Sequence, residues 1–331
     1  MSNSIEVSKL SFSMARLSRA ILAPNRIQAT AVRVATVAIV LLASAFVDGF
    51  ANLHNLSSIL FLTVSIGLVA CGLALVTISG NLFMLSISAT TSVATIVFAG
   101  LLDHGITYAL IATLAAGGLC GVVQGVAVGV LKTNPIITTI ASASIITGIG
   151  SWVSGGRTIT SDVSVQWLGV GHLMPGIPNQ VLILVLVLVC FEFFLSRMRL
   201  GRELKLHGVN PKTASLSGLR IGLAITVAYA LAALTAALSG VLIAAQASQG
   251  NLSLGAGLDF SAIAAVLVGG IAITGGHGRI YDAVSGALFL AIVGNVLLLQ
   301  GFSLDIQLMV KGAVVILSVL LGALLTRGRR V

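Results

Sequence analysis

Charged side chains are scarce in this chain: they make up 8% of its 331 residues, whereas hydrophobic residues make up 57%. A soluble globular domain carries about a quarter of charged residues, so this composition predicts an integral membrane protein. A net charge of +9 would suggest nucleic acid as the partner of a soluble protein. Here the basic residues lie between apolar runs, as membrane orientation requires. We therefore expect contact with membrane lipid and no nucleic-acid partner.

Cysteine and histidine are also few, and neither forms the pattern of a site. The three cysteines, Cys71, Cys120 and Cys190, lie inside apolar runs without metal-ligand spacing, so we expect them to be packing residues. The five histidines are scattered, and the sequence has no HExxH, GxSxG or GxxxxGK[ST] motif. The sequence thus predicts no catalytic residue, no metal site and no cofactor in this chain.

Long apolar runs are what the chain has in abundance. A spanning helix needs about 20 mostly apolar residues, which predicts an all-α polytopic protein with about ten transmembrane helices, in a range of eight to ten. The candidates lie at residues 31 to 47, 57 to 79, 83 to 102, 107 to 131, 135 to 153, 178 to 196, 221 to 246, 258 to 275, 280 to 300 and 306 to 325. The third is rich in Ser and Thr and the eighth is broken by glycines, so each is alternatively a half-helix or re-entrant segment.

Glycine is enriched, with 37 residues. In GGLCGVVQGVAVGV small residues recur at helical spacing. This pattern favours close helix packing over a direct role in ligand binding.

The basic residues give the chain an orientation. With ten spans, all of the 18 Lys and Arg residues except Arg157 and Lys311 fall on one side. The positive-inside rule makes this side the cytoplasm and predicts that both termini are cytoplasmic. The expected organisation is a cytoplasmic N-terminal tail at 1–30, a transmembrane domain at 31–326 with a cytoplasmic loop at 197–220, and a basic C-terminal tail at 327–331.

The loop RMRLGRELKLHGVNPKTASLSGLR holds six of the 18 basic residues. Its second half also carries the signals of a short helix. Asn210 is a preferred N-cap residue, Pro211 is favoured at the first helical position, and Gly218 is a typical stop. An ordinary basic loop explains the charge but not this pattern, so we expect a two-turn helix here.

Three blocks then follow one another: GRELKLHGVNPKTASLSGLRI, LDFSAIAAVLVGGIAITGGHGRI and IQLMVKGAVVILSVLL, with NPIITTIASASIITGIGSWVSGGRTI before them. From about residue 35 to residue 322 the chain resembles the permease subunits of bacterial ABC importers of the ribose type, which carry monosaccharides or autoinducer sugars. The resemblance implies a multi-pass protein of the bacterial inner membrane. It would translocate a small polar solute, a sugar or sugar-like molecule, by alternating access.

The resemblance also implies partners. ATP and Mg²⁺ would be bound by separate ATP-binding subunits, so the chain is not an enzyme by itself but the membrane subunit of an ATP-hydrolysing complex. A second permease, identical or paralogous, and an extracytoplasmic solute-binding protein would complete it. This family contacts its ATPase through a short cytoplasmic helix, whose positions here are Gly208, Asn210, Pro211, Ala214, Ser217 and Gly218.

The family marks a further segment after the second span, with a glycine pair, an Asp and then L-S-V-G. Here SGNLFMLSIS, residues 79 to 88, has Phe83-Met84 in place of the acid. The candidates for the substrate pathway are Ser79, Asn81, Ser86, Ser88, Thr90 and Thr91. Such neutral groups suit a hydroxyl-rich solute, but they alternatively bond their own helix backbone and pack neighbouring spans.

Two other classes of protein are weighed against this interpretation. A secondary ion-coupled transporter predicts paired intramembrane acids, and a membrane-embedded enzyme needs a clustered catalytic set. The ionisable residues expected inside the membrane are Glu192, Asp259 and Lys311. We expect structural roles for all three, because the first and last can reach the membrane surface and Asp259 is expected to cap the start of the eighth span.

The predicted orientation can be tested by labelling. In a cysteine-free background, a single cysteine replacing Arg157 should react with a membrane-impermeant thiol reagent added from outside, whereas one replacing Lys205 should not. Labelling in the opposite order contradicts the orientation.

Overall fold

The computed structural model describes residues 24–163 and 165–327, and over this part the chain is a bundle of α-helices. The helices are α1 Pro24–Phe46, α2 Leu53–Ile78, α3 Ile87–Leu101, α4 Ile106–Gly129, α5 Pro135–Ser154, α6 Gln166–Gly169, α7 Gln180–Arg197, α8 Arg199–Val209, α9 Pro211–Leu216, α10 Ile221–Ala247, α11 Leu258–Val268, α12 Ile280–Leu299 and α13 Leu304–Arg327. A 3-10 turn, Leu102–His104, extends α3. Four short strands, β1 Ile159–Thr160, β2 His172–Met174, β3 Ile177–Pro178 and β4 Gln249–Gly250, form the antiparallel pairs β1–β4 and β2–β3. The expected all-α class is confirmed.

Eight helices of the described part are long and apolar enough to cross a membrane: α1 to α5, α7, α10 and α12, with α3 counted together with its 3-10 turn. The number lies at the lower end of the expected range. The tenth candidate corresponds to α13, a helix of 24 residues outside this set of eight. Of the two predicted tails, residues 1–23 and 328–331 lie outside the described residues.

The eighth candidate is a broken crossing. Its helix, α11, has 11 residues and is therefore about 17 Å long, too short for a hydrocarbon core of about 30 Å. The half-helix alternative is confirmed here, whereas the third candidate forms one spanning helix. Gly257, with φ +77°, occupies the N-cap of α11, so Asp259 lies in the first turn and does not cap it.

Between α10 and α11 the chain runs beside α3. Gly250 lies against Thr95, and the carbonyl of Gly255 accepts a hydrogen bond from Ser88 at 2.6 Å. One turn from Ser88, Thr91 bonds to the carbonyl of Ala236, near the middle of the 27-residue α10. The half-helix α11 therefore begins inside the spanning region.

The core of the bundle is built on α2 and α10. All residues of α2 from Thr63 to Ile78 are buried, and α10 packs on α2, α3 and α4. A helix that is apolar all round is typical of such a central position. These two helices position the loops at both ends of the bundle.

Helix α4 approaches α10 through glycines. A Cβ on Gly121 would lie 2.7 Å from the Tyr229 carbonyl oxygen, and one on Gly125 would lie 2.6 Å from the Thr226 Cα. Gly117 and Gly129 continue the same stripe. The packing role predicted for these glycines is confirmed.

Contacts between loops agree with the alternation of faces in the ten-span topology. At one end of the bundle, α8 contacts the end of α2 through Gly208 and Ile78. At the other end, Ser161 donates a hydrogen bond to Asp103 at 2.8 Å. The Nε2 atom of His172 and the hydroxyl oxygen of Ser57 are hydrogen-bonded at 3.1 Å. The orientation predicted from the basic residues would place the first group in the cytoplasm and the second outside, and this orientation stays a prediction.

Gly125→Ala should lower stability by about 1–3 kcal/mol, because the new methyl overlaps backbone atoms of α10 that cannot move aside. Gly148→Ala is the matched control: Gly148 is also helical, but no atom lies within 4 Å of its Cβ position. Thermal unfolding in detergent measures both variants. Equal midpoints for the two variants contradict the close approach of α4 and α10.

Candidate coupling helix and translocation segment

The basic loop between α7 and α10 folds into two helices. A turn at Met198, with extended backbone, separates α7 from α8. Helix α8 is amphipathic and buries Gly201, Glu203, Leu204 and Gly208 against the bundle. The loop is therefore an ordered surface layer of the protein.

Helix α9 has the predicted cap and stop. The Asn210 side chain accepts a hydrogen bond from the Thr213 N–H at 3.1 Å, and Pro211 occupies the first helical position. The Ser217 N–H donates a hydrogen bond to the Thr213 carbonyl at 3.1 Å, and the next residue, Gly218, has φ +66°. This local structure confirms the sequence-based prediction of a short helix over these residues.

The six predicted coupling residues fall into two groups. Asn210, Pro211, Ser217 and Gly218 are exposed around α9. Ala214 is 4% exposed and faces the protein, while Gly208 belongs to α8 and is buried against Ile78 and Gly276. Contact of this set with an ATPase stays a prediction, and the geometry gives Gly208 and Ala214 a positioning role within the chain.

Leu216 extends the exposed surface of α9. Its side chain is 89% exposed, at the tip of a helix that buries only Ala214 among its six residues. An exposed leucine on a projecting helix offers an apolar contact to a hydrophobic groove of a partner. Sequence reasoning missed it, because a leucine in a short apolar-polar run carries no sign of which way it faces.

Glu203 ties the two ends of the loop together. Its carboxylate is buried, accepts from Arg199 Nε at 2.8 Å, and accepts from the backbone N–H of Arg220 at 3.2 Å. Arg220 is the N-cap of α10, so this contact joins α8 to the start of α10 across the base of α9. Hydrogen bonds to a buried charge are among the stronger ones. We therefore expect α8, α9 and the start of α10 to move as one unit.

The imidazole of His207 faces inward in this layer. Burial lowers the pKa of His207, because the charged form loses its hydration. Burial therefore favours the neutral form of this ring over the charged form.

Segment 79–88 covers the non-helical stretch between α2 and α3, which we call the break, and the first two residues of α3. Two of the predicted pathway residues bond the backbone of their own helices: Ser79 to the Val76 carbonyl at 2.6 Å, and Thr90 to the Ser86 carbonyl at 2.9 Å. Thr91 is fully buried against α10. For these three hydroxyls the geometry favours the alternative interpretation of backbone bonding and packing.

The other three candidates make contacts around the break. Ser86 donates to Gln124 Oε1 at 2.6 Å, Ser88 donates to the Gly255 carbonyl, and Asn81 donates to Ser79 Oγ at 2.9 Å. Asn81 and Ser88 are half-buried, whereas Ser86 is buried. A pathway role for the set stays a prediction, with Asn81 and Ser88 the members that retain exposure.

Gln124 is a polar residue that sequence reasoning missed. It lies on α4 with 2% of its surface exposed, and its Nε2 has no hydrogen-bond partner among the described residues. A buried amide donor without a partner costs about 1–3 kcal/mol. The Gln124 Oε1 atom accepts from Ser86, so this unpaired donor lies beside segment 79–88. A lone glutamine inside an apolar run would have been the signal.

Phe83 and Met84 occupy the position of the family's acidic residue. Met84 is fully buried and Phe83 is half-buried. Apolar packing therefore holds this part of the break.

Taken together, a bundle of spanning helices, a broken crossing that begins inside it and a capped surface helix at one end of the bundle define a polytopic membrane permease subunit. The chain belongs to the family described as branched-chain amino acid transport system / permease component, whose family model matches residues 55–319. It is thus the permease subunit of an ABC importer and a multi-pass protein of the inner membrane.

Curated relatives share this assignment. The chain is 31% identical to the ribose import permease protein RbsC of Escherichia coli strain K12, over 87% of this chain and 91% of the relative. It is 28% identical to the L-arabinose transport system permease protein AraH of the same strain, over 83% and 84%. It is 30% identical to the galactofuranose transporter permease protein YtfT, also of that strain, over 77% and 75%. No solved structure matches the chain. The resemblance seen in the sequence is confirmed.

Asn210→Ala should loosen α9 by about 1 kcal/mol, because the Thr213 N–H loses its acceptor. Hydrogen exchange of the amides at 212–217 should become about fivefold faster, with exchange in α10 unchanged. Asn210→Asp keeps the acceptor oxygen and is the matched control. Unchanged exchange in the alanine variant contradicts the cap.

Proposed function

We propose that this permease imports a neutral sugar or sugar-like molecule. The observation that carries the proposal is the set of relatives named above, whose substrates by name are ribose, L-arabinose and galactofuranose. All three are neutral and rich in hydroxyl groups. The family description names branched-chain amino acids, so the choice between sugar and amino acid is what the experiment must decide.

The chain supplies a path and a docking helix, and its partners supply energy. ATP and Mg²⁺ are bound by separate ATP-binding subunits, which hydrolyse ATP and press on α9. A second permease, identical or paralogous, completes the path, and an extracytoplasmic solute-binding protein delivers the solute. Exposed Leu216 and the cap-and-stop geometry of α9 support this docking.

The break between α2 and α3 bears on the solute. Its half-buried groups, Asn81 and Ser88, are neutral donors and acceptors, which suit hydroxyl groups better than ions. Phe83 and Met84 remove the strong acceptor that the family pattern has there. We therefore infer a polyol-like or modified sugar, passed weakly by the permease, with most of the selectivity in the binding protein.

ATP-driven uptake tests the proposal. Proteoliposomes that contain the permease, its ATP-binding subunits and its binding protein should accumulate a neutral sugar when ATP is supplied. A non-hydrolysable ATP analogue should abolish uptake, because alternating access then stops after one step. An ionophore that collapses ion gradients should leave uptake unchanged.

The controls separate the alternatives. Uptake that follows an ion gradient without ATP contradicts the ABC importer and supports a secondary transporter. Binding measurements on the solute-binding protein against neutral sugars, nucleosides and amino acids identify the solute class. An amino acid as the sole tight ligand, whether branched-chain or charged, overturns the sugar assignment.

A further inference from the structure

Three distant parts of the chain meet at the cytoplasmic end of the bundle through glycines. These are Gly80 after α2, Gly208 near the end of α8, and Gly275 with Gly276 in the loop between α11 and α12. We name these four residues the glycine junction. The Gly276 N–H donates a hydrogen bond to the Ile78 carbonyl at 2.8 Å, so two of the three segments are hydrogen-bonded, and Gly208 packs against both.

The junction has no room for side chains. A Cβ on Gly208 would overlap the Ile78 carbonyl oxygen and lie 2.9 Å from the Gly276 Cα. A Cβ on Gly275 would lie 2.5 Å from the Gly80 Cα and 3.1 Å from the Gly208 Cα. Every one of these neighbours is a backbone atom, which cannot rotate away as a side chain can. None of the three segments can therefore shift far without displacing the others.

Backbone conformation fixes the junction further. Gly80 and Gly275 both have φ +84°, and Gly276 has φ +75°, values that residues other than glycine adopt only with strain. The turns at this point are thus set by residue type. Sequence reasoning assigned Gly208 to the ATPase contact, but its neighbours lie within the chain.

The junction connects the projecting helix to both breaks in the bundle. Gly208 lies two residues before Asn210, the cap of α9. Gly80 opens segment 79–88, and Gly275 with Gly276 lies in the loop that follows the half-helix α11. Glu203 holds the other end of the same layer to the start of α10. A displacement of α9 is therefore delivered to backbone in the loop between the spanning helices α2 and α3 and in the loop that follows the half-helix α11.

We infer that the glycine junction transmits movement of α9 to segment 79–88, which holds the candidate pathway residues. Gly208 and Gly80 are then positioning residues for the coupling of ATP hydrolysis to transport. The inference rests on the proposed function, since it needs a partner that moves α9. Backbone contact transmits a displacement without the slack of a rotatable side chain. A packing role alone would lower stability without changing the ratio of solute transported to ATP hydrolysed.

The experiment measures that ratio in the reconstituted complex. Gly208→Ala should leave ATP hydrolysis by the assembled complex within about twofold of wild type and lower ATP-driven uptake about tenfold. Gly148→Ala, a helical glycine with no atom within 4 Å of its Cβ position, is the matched control and should keep the wild-type ratio.

A milder pair covers the case in which Gly208→Ala fails to assemble. In Gly80→Ala the new Cβ meets the Gly208 Cα at 3.2 Å, whereas Gly49 has a similar φ of +78° and nothing within 4 Å. Gly80→Ala and its control Gly49→Ala carry similar backbone strain. Only Gly80→Ala should therefore lower the ratio of solute transported to ATP hydrolysed. Wild-type ratios in every junction variant that assembles overturn the inference. If the wild-type complex takes up solute without ATP, the proposed function is overturned instead.

Discussion

Inside a bilayer every backbone N–H and C=O group must find a partner within the protein, and the rest of this structure depends on that constraint. Unbroken helices satisfy it alone, but in this chain helical structure stops between the spanning helices α2 and α3 and on both sides of the half-helix α11. The interruptions are supported by other segments. Thr95 Oγ1 both donates to the Asn251 carbonyl and accepts from its N–H, and Gly276 bonds to Ile78. These non-helical segments are therefore held by defined hydrogen bonds to other parts of the chain.

The same constraint explains the use of glycine. Lipid gives no hydrophobic force between helices, so close backbone approach has to provide the attraction. Close backbone approach holds α4 against α10 at Gly121 and Gly125. In the glycine junction it joins the ordered cytoplasmic layer to the breaks. A permease with these properties has a closely packed helical bundle, one broken crossing at α11 and one projecting surface helix, α9.

Local signals made part of this predictable from sequence. The cap at Asn210, the proline after it and the stop at Gly218 all act within nine residues, and the structure has that helix. Apolar length located the spans, and glycines marked α11 as a half-helix. Long-range contacts were beyond such reasoning. The Glu203 carboxylate meets Arg220, and Gly208 meets Ile78 and Gly276, only because the fold brings them together. Likewise, nothing in a run of hydroxyls distinguishes Thr91, buried on α10, from half-buried Ser88.

The central claim is that α9 is the surface on which the ATP-binding subunits act, and crosslinking tests it most directly. A photoreactive amino acid at Lys212 or Leu216 on α9, in the assembled complex, is predicted to capture an ATP-binding subunit. The same probe at exposed Lys132, in the loop between α4 and α5, is predicted not to capture it. Capture from Lys132 without capture from either position on α9 would contradict the account.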